Sequence, residues 1–283
     1  MRKILIIWDF SNDVAPMLDK AASLLKGSAA SFHFVAFISH DTIKKTGITH
    51  TSTIAALVEQ SLSAHQLSAA PHKVFAVHHD NIANWISEIC TEQHYDLVIK
   101  FGHRTEHLFY TPTDWQLIRH LHTPLLLVNN QAQRPQKAVL AAIDLQNNSP
   151  VQQELNRKVA EFAWRIAQHD GASLHLVQVV MVNPVLQDLD LTSSAAVLEK
   201  STPALMAKLE AFVAAEALTN CKIHLQAGVI EQEIQQLSKK LKASLVVMGS
   251  IGRKGLSGLL LGNTAEQVLE HLHTDVLVIK PSP

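Results

Sequence analysis

Half of the chain's ten glycines, Gly249, Gly252, Gly255, Gly258 and Gly262, lie in one stretch, MGSIGRKGLSGLLLGNTAEQ, from Met248 to Gln267. A glycine cluster is costly in backbone entropy, but without Cβ atoms the backbone N–H groups can approach phosphate oxygens closely. The stretch follows the apolar run Leu245-Val246-Val247 and leads into Gly262-Asn263-Thr264, which reads as a helix start. Asn263 is a good N-cap, and Glu266 three residues later completes a capping box. The N–H groups of Gly262, Asn263 and Thr264 would lack intrahelical partners and lie at the positive end of the helix dipole, where an anion is favoured. Arg253 and Lys254 would neutralise phosphate charge. The chemistry these residue types suit is phosphate binding. The spacing is neither a Walker A loop, since Lys254 stands where its second glycine would fall, nor GxGxxG. A capped helix behind a loop that holds no ligand accounts for the same residues.

The elements that must position this loop occur twice. KILIIWD ending at Asp9 is matched by KAVLAAID ending at Asp144, DLVIK by SLVVM, and HLHTPLLLV from His120 by HLHTDVLVI from His271. The repeat has a period of about 135 to 150 residues, close to one domain. The polar, proline-containing stretch from Asn129 to Gln136 reads as the linker. Expected strands are Ile4–Trp8, Phe32–Ile38, Lys73–Val77, Leu97–Lys100 and Leu125–Val128, then Ala138–Ile143, Ser173–Val180, Lys222–Gln226, Leu245–Met248 and Val276–Ile279. In the second half, helices are expected near Val151–Gln168, Ala195–Ala215, Ile230–Leu241 and Thr264–Leu272. Short apolar strands alternating with helices imply parallel sheets covered on both faces. The expected fold is α/β: two tandem, doubly wound, five-stranded parallel-sheet domains over residues 1–130 and 137–283, with strand order 3-2-1-4-5. In that order strands 1 and 4 are neighbours where the order reverses, which is where such sheets bind ligands. Asp144 and Gly249 would then face one crevice.

The pattern G-x2-G-x9-G-[S/T/N] behind an apolar strand, here Gly249, Gly252, Gly262 and Asn263, with Asp144 closing strand 1, resembles the universal stress protein family. The tandem layout, with YTPTDW at 110–115 and LLGNTAEQV at 260–268, is similar to the family's two-domain type. The resemblance implies a stress-response protein that binds ATP, with or without magnesium, in its second half. It implies that Asp144 meets the nucleoside, that Val179 and Met248 line the base, and that Gly249, Gly252, Gly262, Asn263 and Thr264 hold the phosphates. It also implies an intramolecular pseudo-dimer of the two halves, open to further homodimerisation. For Val179 and Met248, plain core packing explains the residues equally well.

Aligned on the repeats, the first half has Phe101 at Gly249, Arg104 at Gly252, Thr111 at Gly262 and Pro112 at Asn263. Pro112 offers no N–H, and Phe101 fills a phosphate path. No ATP site is expected there. No nucleophile–base constellation is legible, so the chain reads as a non-enzymatic regulator or scaffold. A slow ATPase, or self-phosphorylation on Ser250 or Ser257, is the competing reading. A third is an apolar or nucleotide-sugar-like ligand between the halves, prompted by the leucines at 256 and 259–261. With 24 basic and 25 acidic residues, nothing suggests a nucleic-acid surface. No apolar run would span a membrane, and the apolar N-terminal run ends at Asp9, too early for a signal peptide. Two cysteines, Cys90 and Cys221, at unrelated spacing suit the cytoplasm and form no metal motif. The seventeen histidines read as partly exposed groups at strand and helix ends.

Overall fold

The computed structural model describes residues 2–8, 14–25, 29–38, 43–44, 47, 50–79, 81–102, 113–129, 138–182, 194–251, 272 and 274–281. The chain divides into two compact units, Met1–Asn130 and Gln131–Pro283. The first contains β1 (Arg2–Trp8), α1 (Ala15–Leu25), β2 (Ala30–Phe37), α2 (Thr51–Ala64), β3 (His72–Val77), α3 (Ile82–Gln93), β4 (Leu97–Phe101), α4 (Thr113–His120) and β5 (Leu125–Val128). Its strands are parallel, in the order β3-β2-β1-β4-β5. The second contains β6 (Ala138–Ile143), α5 (Pro150–Asp170), β7 (Ser173–Met181), α6 (Ser194–Ala215), β8 (Cys221–Gly228), α7 (Ile230–Leu241), β9 (Leu245–Gly249) and β10 (Asp275–Ile279). These strands are also parallel, in the order β10-β9-β6-β7-β8. Numbered within each unit, both sheets have the order 3-2-1-4-5. The helix expected at Thr264–Leu272 lies outside the described residues except for Leu272. Among the described residues, no helix is long and apolar enough to cross a membrane.

The strands form because their apolar runs are buried on both faces. Ile4, Leu5 and Ile6 are fully buried in β1, and every residue of β10 is buried. Such strands need helices on each side. In α5, Ser149 caps the start by accepting from the Gln152 N–H at 3.3 Å, and Pro150 follows, where its missing N–H is not needed. Gly171 ends the helix in the left-handed region at φ 62°. Leu155, Val159, Ala163 and Ile166 form its buried stripe. The Trp164 indole donates to Thr219 Oγ1 at 3.3 Å, which ties α5 to the turn that follows α6.

Two histidines depart from the expectation of exposed strand-end groups. His33 and His175 are 5% and 4% exposed and lie inside β2 and β7. They occupy one position of the repeat: His33 is in register with Leu5, and His175 with Leu140. Lys73 and Lys222 stand beside them on the next strand. His33 Nδ1 is hydrogen-bonded to the Tyr95 hydroxyl at 2.7 Å. His175 Nδ1 is 2.8 Å from His224 Nε2, with the two rings stacked, and its Nε2 is 2.9 Å from Ser173 Oγ. Burial lowers the pKa of each to about 4, with Lys3 and Lys73 adding to the effect at His33, and His224 and Lys222 at His175. Burial also lowers His224, helped by Lys240 and Lys222.

The sign for stability follows. The unfolded chain takes up these protons near pH 6.5, and the folded chain resists until about pH 4. The contribution is complete above pH 6.5 and is lost as pH falls towards 4. Stability should drop by up to about 1.4 kcal/mol per pH unit per histidine in that window. Urea unfolding at pH 7, 6 and 5 measures the slope. Replacing His33 and His175 with glutamine, which hydrogen-bonds but does not titrate, should flatten it.

Candidate functional site

The strand order of the second unit reverses between β6 and β9, which are paired directly with Ala142 opposite Met248. Asp144 follows β6, and Gly249 ends β9 opposite Ile279 of β10. The two therefore lie at neighbouring strand ends of the carboxyl edge. Of the other expected site residues, Val179 and Met248 are described, whereas Gly252, Arg253, Gly262, Asn263 and Thr264 lie outside the described residues.

Asp144 is half-buried and organises the turn after β6. Its Oδ1 accepts from the N–H groups of Gln146, at 3.0 Å, and Asn147, at 3.3 Å. This is the local side-chain turn that aspartate favours. Two buried amides, Asn156 and Gln178, each 1% exposed, lock the backbone on either side. Asn156 Nδ2 donates to the Asp144 carbonyl at 2.6 Å, and its Oδ1 accepts from the Asp144 N–H at 3.0 Å and from Gln152 Nε2 at 2.8 Å. Gln178 Oε1 accepts from the Leu145 N–H at 2.7 Å, and its Nε2 donates to the Val179 carbonyl at 3.1 Å. Both amides escaped the sequence reading. The available signal was a polar residue inside an apolar stripe, Asn156 beside Leu155 and Val159, and Gln178 within LHLVQVV.

Gly249 has a structural reason for being glycine. A Cβ built there would lie 2.5 Å from Leu155 Cδ2 and 2.6 Å from Leu155 Cγ. Gly249 thus faces α5, and Leu155 occupies the space. Met248, by strand alternation, faces the other way. So does Val179, two residues beyond Val177, whose neighbour Ala142 is also in register with Met248. Val179 and Met248 are buried, at 8% and 4% exposure, as core residues would be. Substituting Gly249 with alanine should destabilise the protein by about 1–3 kcal/mol through overpacking. Adding Leu155→Ala should cost less than the two single losses summed, because the smaller side chain makes room for the new methyl. Urea denaturation of the four chains of this cycle gives the coupling, and additive losses would show that Leu155 is not what excludes the Cβ.

A cleft of about 350 Å³ opens between the 145–148 turn, α5 and α6, with Arg157, Lys208 and Phe212 among its lining residues. Asn156 reaches it, but Asp144, Val179, Met248 and Gly249 do not line it. Among the described residues no three His, Cys, Asp or Glu side chains converge on a metal-sized space. On the opposite side of the edge, the Lys280 ammonium donates to Ser250 Oγ at 3.2 Å, and the Ser250 N–H donates to the Ile279 carbonyl at 3.0 Å. Burial lowers the Lys280 pKa to about 8.

Among the described residues of the matching region of the first unit, buried side chains stand at the positions of Met248 and Gly249. Lys100, which aligns with Met248, forms a 2.8 Å ion pair with Asp114, and both side chains are 6% exposed. Lys100 also donates to the Phe101 carbonyl at 2.8 Å, and Phe101, which aligns with Gly249, is 2% exposed. The other first-half positions compared with the glycine motif, Arg104, Thr111 and Pro112, lie outside the described residues, as does Asp9.

The universal stress protein family matches residues 1–129 and again 136–280. Universal stress protein E of Salmonella typhi is 28% identical, over 99% of this chain and 94% of that protein. A homologue of universal stress protein E from Haemophilus influenzae is 31% identical over 73% of this chain and 69% of its own length. Among solved structures, a putative universal stress protein from Pseudomonas aeruginosa UCBPP-PA14 superposes with a TM-score of 0.76 at 24% identity, covering 99% of this chain and 94% of that one. The chain therefore belongs to the universal stress protein family, in its tandem-domain form, and is similar over nearly its whole length to universal stress protein E.

Proposed function

We propose that the chain binds one adenine nucleotide, ATP, in its second half and acts in the stress response as a regulator rather than a catalyst. The observation that supports this reading most is the pairing of β6 with β9, which brings Asp144 and the start of the glycine stretch to neighbouring strand ends at the reversal point. The donor set suits a nucleotide. Asp144 is half-buried and its backbone is held by Asn156, so its carboxylate is pre-positioned for a ribose hydroxyl. The glycine stretch beginning at Gly249 would offer backbone N–H groups to the phosphates. The names of the relatives carry the stress-response part of the proposal. The rigid amide-locked turn is the kind of support that a binding site needs.

Titration calorimetry with magnesium ATP tests the reading. One site per chain is the expected result, with ATP turnover no faster than in buffer. Absence of binding at millimolar ATP would remove the proposal, and steady turnover would replace the regulator with an enzyme.

A further inference from the structure

Lys280 lies outside the glycine motif, and Ser250 is the residue between its first two glycines that follows Gly249; the two are buried together at the ends of neighbouring strands. Lys280 is 6% exposed and Ser250 9%. Lys280 follows β10, and Ser250 follows Gly249 at the end of β9, the next strand. Both point away from α5, since Gly249, between Met248 and Ser250, is the residue that faces Leu155. A buried ammonium is costly unless neighbouring groups answer its charge, and Ser250 Oγ is one of the groups that do so here. The internal repeat supplies an independent comparison. In the first half, the positions of Ser250 and Lys280 are held by Gly102 and Asn129, so the hydroxyl and the cation are both missing from the half that also lacks the glycines.

We propose, on the reading that the second half binds ATP, that Lys280 and Ser250 form the anion subsite for its phosphate chain, and that Lys280 takes up a proton when the chain binds. A polyanion beside the ammonium favours its charged form. Burial has already moved Lys280 into the range where uptake is measurable, to about 8. Among the described residues at this edge, Ser250 contributes a hydroxyl after β9, and Asp144 is the carboxylate that follows the next strand, β6. The subsite therefore discriminates ATP from adenosine by charge.

Calorimetry of the whole chain at pH 9, in two buffers of different ionisation enthalpy, reads the proton count directly. Wild-type protein should take up close to one proton with ATP and none with adenosine. Lys280→Met should bind ATP roughly ten- to a hundred-fold more weakly, the loss of one charge-assisted hydrogen bond, and with no uptake. Lys280→Arg, which keeps its charge at pH 9, should retain most of the ATP affinity while losing the uptake, and it keeps the test open if the methionine variant fails to fold. ATP binding by wild type without proton uptake would overturn the subsite and leave the nucleotide reading standing. Failure of wild type to bind ATP at any pH would overturn both.

Discussion

A Gly252→Val chain is expected to lose nearly all ATP binding, and a Phe101→Gly chain to gain no second site. On the proposed reading that the glycine stretch holds the ATP phosphates, a valine side chain at 252 would keep the backbone N–H groups from approaching them. Each hydrogen bond lost to a charged group is worth about 1.5–3 kcal/mol, so two lost bonds weaken binding by roughly 10² to 10⁴. Opening position 101 does not rebuild a site in the first half. The Lys100–Asp114 ion pair remains at the positions of Met248 and Ala265, and Pro112 still lacks the N–H that Asn263 provides. Phe101 is 2% exposed, so its removal also destabilises the fold, by an amount like the about 3–5 kcal/mol of buried Phe→Ala changes. The titrations are therefore run where circular dichroism shows the variant folded. Two equivalent sites in the parent chain, or full binding by Gly252→Val, would show that the glycine stretch is structural.

The second large effect is expected at Asn156. Asn156→Leu keeps the branching and heavy-atom count but leaves the Asp144 N–H and carbonyl and the Gln152 amide without this partner at a part-buried position. An orphaned buried group costs about 1–3 kcal/mol, and because these three are only part-buried the variant should lose about 3–5 kcal/mol of stability rather than the full sum. The turn carrying Asp144 then loses its lock, and adenosine affinity should fall along with stability. Denaturant unfolding of Asn156→Leu beside Asn156→Asp separates the explanations. The aspartate can accept from the Asp144 N–H but repels its carbonyl, so it should recover part of the loss and no more. Equal stability in all three chains would mean that the turn is held by something other than this amide.

The architecture was legible because its signal is local and repeated. The run Ala138–Ile143 is a strand in the sequence reading and in the structure, with the same ends, because an unbroken apolar run between polar flanks leaves little choice. Elsewhere the ends moved. The strand expected at Lys222–Gln226 extends over Cys221–Gly228, since β8 pairs with β7 along its whole length and backbone pairing does not depend on apolar side chains. The details of the site were harder to read because they depend on partners far along the chain. Gly249 answers to Leu155, and Leu145 to Gln178. No window of a dozen residues contains either pair. His33 and His175 were misjudged for a related reason: treated as members of a large population, they looked like surface groups, and only strand register shows that they share one interior position.

That shared position has a consequence for how the molecule melts. Among the described residues each half has a buried histidine at this position, each with its own hydrogen-bonding solution, and the second half adds His224, so each half is a separate proton counter. If the halves lose structure in one concerted transition, the protons released or taken up per event are summed and a single steep acid dependence results. If they come apart in sequence, the same protons are divided between two shallower transitions. Replacing His33 alone would then flatten only one of them. The pH dependence of unfolding, measured with and without that one imidazole, thus reports whether the duplicated chain behaves as one cooperative body or as two.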